Sequence, residues 1–288
     1  MLDKSYSVLM SVYHKENPIF LKTSIESMMN QTLKPNEIVI VKDGVLNEGL
    51  DEVIVYYKRR NPDLFKVVTL EKNVGLAKAL NAGLENCTNE LVARMDTDDI
   101  AIKERCELQI EEFMKNNELS IVGTMIDEFY DDPSDIISSR LVPCKHEDIV
   151  KFSKRRNPFN HPTVMYKKSE VLGCGGYGDY RRNQDLDLFV RMLNSGHIAL
   201  NINKSLLLFR ANKDNLKRRK SLGKCKSYVK LIYNFWKRGH SNMSDVLIVA
   251  VSQLIILISP MWVLKWVSNV FLRSNINSKR EKEDLYEY

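Results

Sequence analysis

The sequence predicts an α/β fold: a mostly parallel sheet with helices on both faces. Strand-length apolar runs alternate with segments of helical period through the first hundred residues. Proline and glycine signals punctuate the junctions, at Pro18, Pro62 and Asn73-Val74-Gly75. Asp43, Gly75 and Asp96–Asp99 fall at or just after predicted strand ends, the edge where such sheets bind ligands.

Each element has its own warrant. Ser7–Val12 reads as a buried strand. Pro18 opens a helix over Ile19–Asn30, with Leu21, Ile25, Met28 and Met29 apolar. Glu37–Lys42 is a second strand, ending in Asp43-Gly44. A helix over Leu50–Arg60 is stopped by Pro62, and Phe65–Leu70 is a third strand. After the turn at Asn73-Val74-Gly75 a helix runs from Leu76 to about Asn86, and Leu91–Met95 is the fourth strand. An amphipathic helix spans Lys103–Asn116, with Cys106, Leu108, Ile110 and Phe113 on its apolar face. Ile121–Phe129 is a strand, and Asp131–Asp135 a solvated turn before and around Pro133. Asn157–Thr163 is irregular, and Val164-Met165-Tyr166 resumes a strand. Gly173, Gly175, Gly176 and Gly178 form a loop leading to a helix over Asp185–Ser195, in which Asp187 and Arg191 form an i,i+4 pair.

The length of 288 residues holds one large domain, or one domain with an appendage. The five cysteines form no zinc or redox spacing and suit a reducing compartment. Asp3 and Lys4 lead straight into a short strand, so no signal peptide is expected. Residues 201–288 carry 17 Lys+Arg against 6 Asp+Glu, which suggests an anionic surface nearby. Aromatic residues are not interleaved with the basic cluster Lys217–Lys220, and an apolar segment follows it. The expected surface is therefore a membrane, not nucleic acid.

The chemistry centres on Arg94-Met95-Asp96-Thr97-Asp98-Asp99. A strand end that brings Asp96 and Asp98 to one side makes an oxygen nest for Mg²⁺ or Mn²⁺; the alternative is a solvated acidic turn before the next helix. Asp43-Gly44 also reads as a tight turn, Lys78 as a solvated helix residue and Tyr13 as packing. His161 is either structural or faces an acceptor, and Asp185, at the start of its helix, reads as a cap.

An ordered series of motifs resembles the inverting family 2 glycosyltransferases with the GT-A fold. It runs through Ser7–Tyr13, Gln31-Thr32, Glu37–Gly44, Asn73–Asn81, Met95–Asp99, Asn160–Thr163, Gly175-Gly176-Tyr177 and Gln184–Leu188, covering roughly residues 5 to 195. Within the family the chain looks closest to bacterial surface-polysaccharide enzymes of the amylovoran-biosynthesis type. The resemblance implies that Asp43 accepts a hydrogen bond from a uracil base, Tyr13 encloses that base and Lys78 lies near base or phosphates. It implies Asp96 at the ribose or a metal-bound water, Asp98 on the metal and Asp99 at the donor sugar. Asp185 would be the base that deprotonates the acceptor hydroxyl. The family often has Glu at the position of Gln184; the change removes a charge and leaves Asp185 in place.

Beyond Ala211 a basic amphipathic helix is expected over Ser221–Arg238. Val246–Leu264 then runs 19 residues without a charge. A straight helix of that length would reach roughly 28 Å, near one hydrocarbon thickness. Pro260 interrupts it and positive residues flank both ends, so it is expected to lie in or dip into the cytoplasmic face, with Trp262 and Trp266 at the boundary. The expected division is a catalytic domain over 1–212, with a nucleotide-sugar half 1–100 and an acceptor half 101–212, and a membrane-associating extension over 213–288. The expected activity is metal-dependent transfer, with Mn²⁺ or Mg²⁺, of a sugar from a UDP-linked donor to a lipid-diphosphate-linked saccharide at the inner membrane. The competing readings are an inactive sugar-nucleotide-binding scaffold and a phosphatase with an aspartate nucleophile.

Overall fold

The computed structural model describes residues 3–180, 182–211 and 221–260. The first half alternates β1 (Tyr6–Val12), α1 (Pro18–Met29), β2 (Glu37–Asp43), α2 (Glu48–Arg60), β3 (Phe65–Leu70), α3 (Leu76–Asn86) and β4 (Leu91–Met95). Then come β5 (Ile100–Ala101), α4 (Arg105–Lys115), β6 (Leu119–Phe129), β7 (Ile136–Arg140) and α5 (His146–Ser153). A 3-10 turn (His161–Thr163), β8 (Met165–Lys167), α6 (Lys168–Gly173), α7 (Gln184–Asn194) and β9 (Ile198–Arg210) complete the sheet region, and α8 (Leu222–Lys237) and α9 (Met243–Ile258) follow.

Among the described residues nine strands form one sheet, in the order β3-β2-β1-β4-β8-β6-β9-β5 with β7 beside β6. β1, β2, β3 and β4 pair in parallel, as the alternation of strands and helices requires. The second half brings antiparallel pairs, β4 with β8, β6 with β8 and β7, and β5 with β9, while β6 and β9 run parallel. Alternate residues of β1 serve opposite faces. Val8 and Met10 join a core with α1, α2 and α4; Leu9 joins one with α3 and α7. Both faces are thus covered, and polar residues concentrate at the strand ends.

Local chemistry sets the helix starts. The Asn17 side chain accepts from Ile19 N at 2.8 Å, with Pro18 in the first position of α1. Asn47 caps α2 through Leu50 N at 3.0 Å, and Asn242 and Asp245 form a reciprocal capping box on α9. α9 ends at Ile258, ahead of Pro260. No described helix is long and apolar enough to cross a membrane. The basic cluster 217–220, Trp262, Trp266 and the end of the 246–264 run lie outside the described residues.

β9 and α5 are not anticipated by the sequence reading. β9 holds Asn201, Asn203 and Lys204, and its ladder with β6 shifts register more than once, so no clean two-residue alternation survives. Leu186 and Val190 of α7 pack with Leu231, Ile232 and Phe235 of α8 and with Val246 and Val249 of α9. The C-terminal hairpin is thereby fastened to the helix that carries Asp185.

Gly44 shows how tightly the strand ends are joined. It has φ +85°, and a Cβ there would lie 2.5 Å from Asn73 N and 2.9 Å from the Lys72 carbonyl carbon. Both obstacles are backbone. Gly44→Ala is expected to lower unfolding stability by about 1–3 kcal/mol, from strain plus overpacking. Urea unfolding measures this, and an unchanged midpoint and slope would reject the close approach.

Candidate active site

The carboxyl ends of β1, β2 and β4 converge. Val12 pairs with Lys42, so Tyr13 and Asp43 follow side by side. Asp43 is buried, and the turn after β3 holds its carboxylate: Val74 N donates to Oδ1 at 2.7 Å and Gly75 N to Oδ2 at 3.1 Å. A carboxylate accepts about four hydrogen bonds, so capacity remains for a ligand N–H. Tyr13 is exposed, with its ring edge on His14. Lys78, in the first turn of α3, reaches Asp179 Oδ2 at 3.0 Å on the surface. Asn81 of the same helix receives Tyr177 N and donates to Tyr177 O, both at 2.8 Å. α3 and the glycine-rich loop are therefore tied together.

At the end of β4 the acids do cluster. Carboxylate oxygens of Asp96, Asp98 and Asp99 all lie within 4.8 Å of one another. Ser24 of α1 donates to the Asp96 carbonyl at 2.7 Å. The buried Arg94 guanidinium forms an ion pair with the Asp96 carboxylate. Arg210, at the end of β9, closes the other side. Its N–H donates to Asp99 Oδ1 at 2.9 Å and its Nε to the Asp98 carbonyl at 3.1 Å, while its guanidinium lies 3.8 Å from the ring centre of Phe20 and 4.6 Å from that of Phe129. Asp99 Oδ2 is buried without a hydrogen-bond partner.

Burial, and then the neighbouring carboxylate of Asp96, raises the Asp98 carboxyl. Burial and both neighbours raise Asp99 well above its usual range. Burial and the charges of Asp98 and Asp96 push Glu16 up to about 7. An orphaned buried carboxylate oxygen within a set of mutually repelling oxygen donors fits a hard divalent cation.

Asp185 occupies the second position of α7, after Asn183 in the left-handed region at φ +59°. Asn157 Nδ2 donates to its Oδ2 at 2.6 Å. Burial raises the Asp185 carboxyl; backbone N–H groups, Arg94 and Arg140 partly offset that. Gln184 is buried beside it. His161 Nε2 lies 3.0 Å from the Tyr177 hydroxyl, and its ring packs on Phe189; burial and then Arg94 hold its pKa well below the usual value. His161 is thus a neutral, internally partnered side chain. Asp187 pairs with Arg191 at 2.8 Å as its spacing predicts, and also with Arg238 of the hairpin at 3.2 Å.

The structure brings Asp96, Asp98 and Asp99 together, and the field of Arg94 reaches both that cluster and Asp185. It adds residues that the sequence reading passes over. Glu16 had no local signal, since it sits in an ordinary polar loop. Arg94 had one, a charge within an apolar strand. Asn157 and Arg210 meet the site only through tertiary pairing.

Comparison with known proteins follows this geometry. The family described as glycosyl transferase family 2 matches residues 7–176. The chain is 35% identical over 255 residues to the UDP-Gal:alpha-D-GlcNAc-diphosphoundecaprenol beta-1,3-galactosyltransferase of Escherichia coli, covering 88% of this chain and 92% of that protein. It is 39% identical over 226 residues to the amylovoran biosynthesis glycosyltransferase AmsE of Erwinia amylovora, covering 78% and 84%. Among solved structures, the mannosyltransferase PcManGT of Pyrobaculum calidifontis, in complex with GDP-Man and Mn²⁺, superposes with a TM-score of 0.64 at 13% identity, covering 98% of this chain and 81% of that one. S. aureus TarS 1-349 in complex with UDP gives 0.56 at 17% identity, covering 81% and 71%. The likeness to these two structures is one of fold.

The acid cluster makes a pH prediction. Glu16, Asp98 and Asp99 have raised pKa values, so the folded state favours their neutral forms. Their contribution to stability is full below the usual carboxylate range and is lost as pH rises, for Glu16 through about 7. The Tm in EDTA is expected to fall between about pH 5 and pH 8, and Mn²⁺ to raise it more at the upper end, where more of the carboxylates are ionised. Scanning fluorimetry at both pH values checks this; a Mn²⁺ shift no larger at the higher pH would contradict it.

Proposed function

The chain belongs to glycosyl transferase family 2, and from that membership and the site geometry we propose that it transfers a sugar, with inversion, from a UDP-linked donor to a lipid-diphosphate-linked saccharide. The observation that carries this is the acid cluster at the end of β4, with Asp185 on a separate helix in the field of the same Arg94. The E. coli relative's name describes that donor and acceptor class, and its likeness spans most of both chains.

In this reading Asp43 orients the base through its spare acceptor capacity, beside Tyr13. Asp96, fixed by Arg94, faces the ribose, and Lys78 lies on the phosphate side. Asp98, with Asp96 and Asp99, would hold a divalent cation, Mn²⁺ or Mg²⁺, which when bound neutralises the leaving diphosphate. Asp185 takes the proton of the acceptor hydroxyl. As the acceptor oxygen bonds to the anomeric carbon, the bond from that carbon to the diphosphate breaks and the nucleoside diphosphate departs. A single displacement of this kind inverts the carbon. The raised pKa of Asp185 makes it a stronger base than a solvated carboxylate. Residues 1–212 form the catalytic domain and 213–288 the extension, which would rest on the cytoplasmic membrane surface where the acceptor lies.

That last assignment has a structural basis. α9 leaves Leu247, Ile248, Val251, Leu254, Ile255 and Ile258 exposed, a spacing that makes one stripe along the helix. Lys226 and Lys230 are exposed on the neighbouring α8, and the chain after Ile258 continues apolar to Leu264. An apolar stripe beside cations fits the interface of an anionic bilayer.

Two experiments test the reading. Asp185→Asn is expected to keep donor binding, measured by calorimetry with UDP, and to lose transfer by about 10²-fold or more. Near-normal turnover would move the base elsewhere, and a product of retained anomeric configuration would reject single displacement. Separately, Leu247→Ser, Val251→Ser and Leu254→Ser together should shift full-length protein from the membrane to the soluble fraction while donor binding persists. Unchanged fractionation would reject the membrane role of this face.

A further inference from the structure

Asp185 is tied to a second polar region, on the side of the chain leaving α5. Asn157 links it to the chain leaving α5, and the Asn157 carbonyl accepts from Arg140 Nη2 at 3.1 Å. Immediately before Asn157, Lys151, Lys154, Arg155 and Arg156 line a cleft of about 690 Å³ between α5 and the first turn of α9. The acidic residues lining it are Asp148 and Asp245. Asp245 is already committed: Arg155 Nε lies 2.5 Å from its Oδ1, and Asn242 N donates to its Oδ2 at 2.9 Å. Among the described residues, Lys151, Lys154 and Arg156 are in no ion pair. Arg156 lies 5.0 Å over the Phe152 ring, and burial holds its pKa below the usual value. With Asp148 set against Lys151, Lys154 and Arg156, the cleft carries a net positive charge.

Tyr228 of α8 touches the chain that lines the cleft and lies within the field of Asp185. The Tyr228 hydroxyl donates to the Arg155 carbonyl at 2.8 Å, and the fields of Arg156, Arg140 and Asp185 all reach that hydroxyl. The cationic cleft and the proposed base flank one side chain.

We propose that this cleft binds the diphosphate of the lipid-linked acceptor. The proposal rests on the acceptor class assigned above. In a saccharide whose reacting sugar is joined to a diphosphate, one sugar ring separates the attacking hydroxyl from the anion. A base and a cationic cleft on either side of Tyr228 match that order. Lysines supply point charges and Arg156 a planar fork, both suited to phosphate oxygens. Asn242 and Ser244, at the start of α9, open into the same cleft and bring the positive end of the helix. The exposed apolar stripe of α9 begins one turn later, at Leu247, so a lipid chain leaving the diphosphate meets an apolar path.

The test uses full-length protein and a short alkyl diphosphate without sugar, titrated in EDTA so that no metal serves the acid cluster. Lys151 and Arg156 are exposed, so Lys151→Gln with Arg156→Gln should leave the fold intact, which the Tm checks. The double variant is expected to bind the alkyl diphosphate at least tenfold more weakly, while Asp98→Asn binds it as wild type does. Equal binding by wild type and double variant would overturn the proposal, as would loss of binding in Asp98→Asn. Phosphatidylglycerol vesicles separate the two sources of phosphate. A double variant that sediments poorly with vesicles yet binds the alkyl diphosphate normally would assign the cations to lipid headgroups and overturn the proposal. Because this readout needs no turnover, an error in the acceptor class shows separately: protein that binds the alkyl diphosphate would fail to glycosylate a diphosphate-linked saccharide.

Discussion

The site depends on one buried charge. Arg94 sits inside the sheet one residue before its strand ends, 2% exposed, and its charge must be answered there. Asp96 answers it directly, and Asp99, Asp98 and Asp185 lie within its field. Arg105 Nη2 donates to the Arg94 carbonyl at 2.7 Å and fixes the backbone at that point. Arg94 Nη2 makes the direct contact with Asp96, while Nε and Nη1 have no hydrogen-bond partner. An interior cation of this kind costs desolvation free energy, which mutual attraction offsets only when the acids stand close. The same closeness raises the carboxyls that Arg94 does not touch. Attraction and repulsion in one small volume set up an arrangement of oxygens short of positive charge.

The two halves of the site are built by different means. Around Asp43 and the acid cluster, strand ends supply the residues and parallel pairing fixes their spacing; Asp43 is held by two backbone N–H groups. Asp185 is placed instead by a helix that packs against α8 and α9. Asp187, two residues on, is held by Arg191 and by Arg238 from that hairpin. The hairpin therefore supports α7, the helix that carries Asp185, directly.

This difference explains what was legible in the sequence. The parallel strands and their polar ends were readable because each is a short contiguous pattern: Glu37–Asp43 and Leu91–Asp99 announce both element and chemistry. Asp187 and Arg191 were readable from helical spacing alone. Glu16 was not, because its neighbours Asp96 and Asp98 are eighty residues away and only the fold joins them. The contact of His161 with Tyr177, 3.0 Å from its ring nitrogen, is likewise made only by the fold. β9 was hidden by its own irregularity, and with it the part played by Arg210. The cationic cleft combines residues of α5 with the start of α9, a juxtaposition that no local pattern encodes.

Arg210 has a bearing on how the chain comes to its final form. The hydrogen bond from its backbone to Asp99 spans 111 residues. The β1–β2 and β2–β3 crossovers are local, while β1 meets β4 only after β2 and β3 have been made. β6 can pair with β7, which follows it directly, but it gains its parallel neighbour β9, which ends at Arg210, only after β8 and α7 have been made. Pairings of such long separation carry a large loop-closure cost and slow the folding of the regions that contain them. During synthesis, then, Asp99 receives its backbone donor only once the last strand of the sheet has emerged and docked.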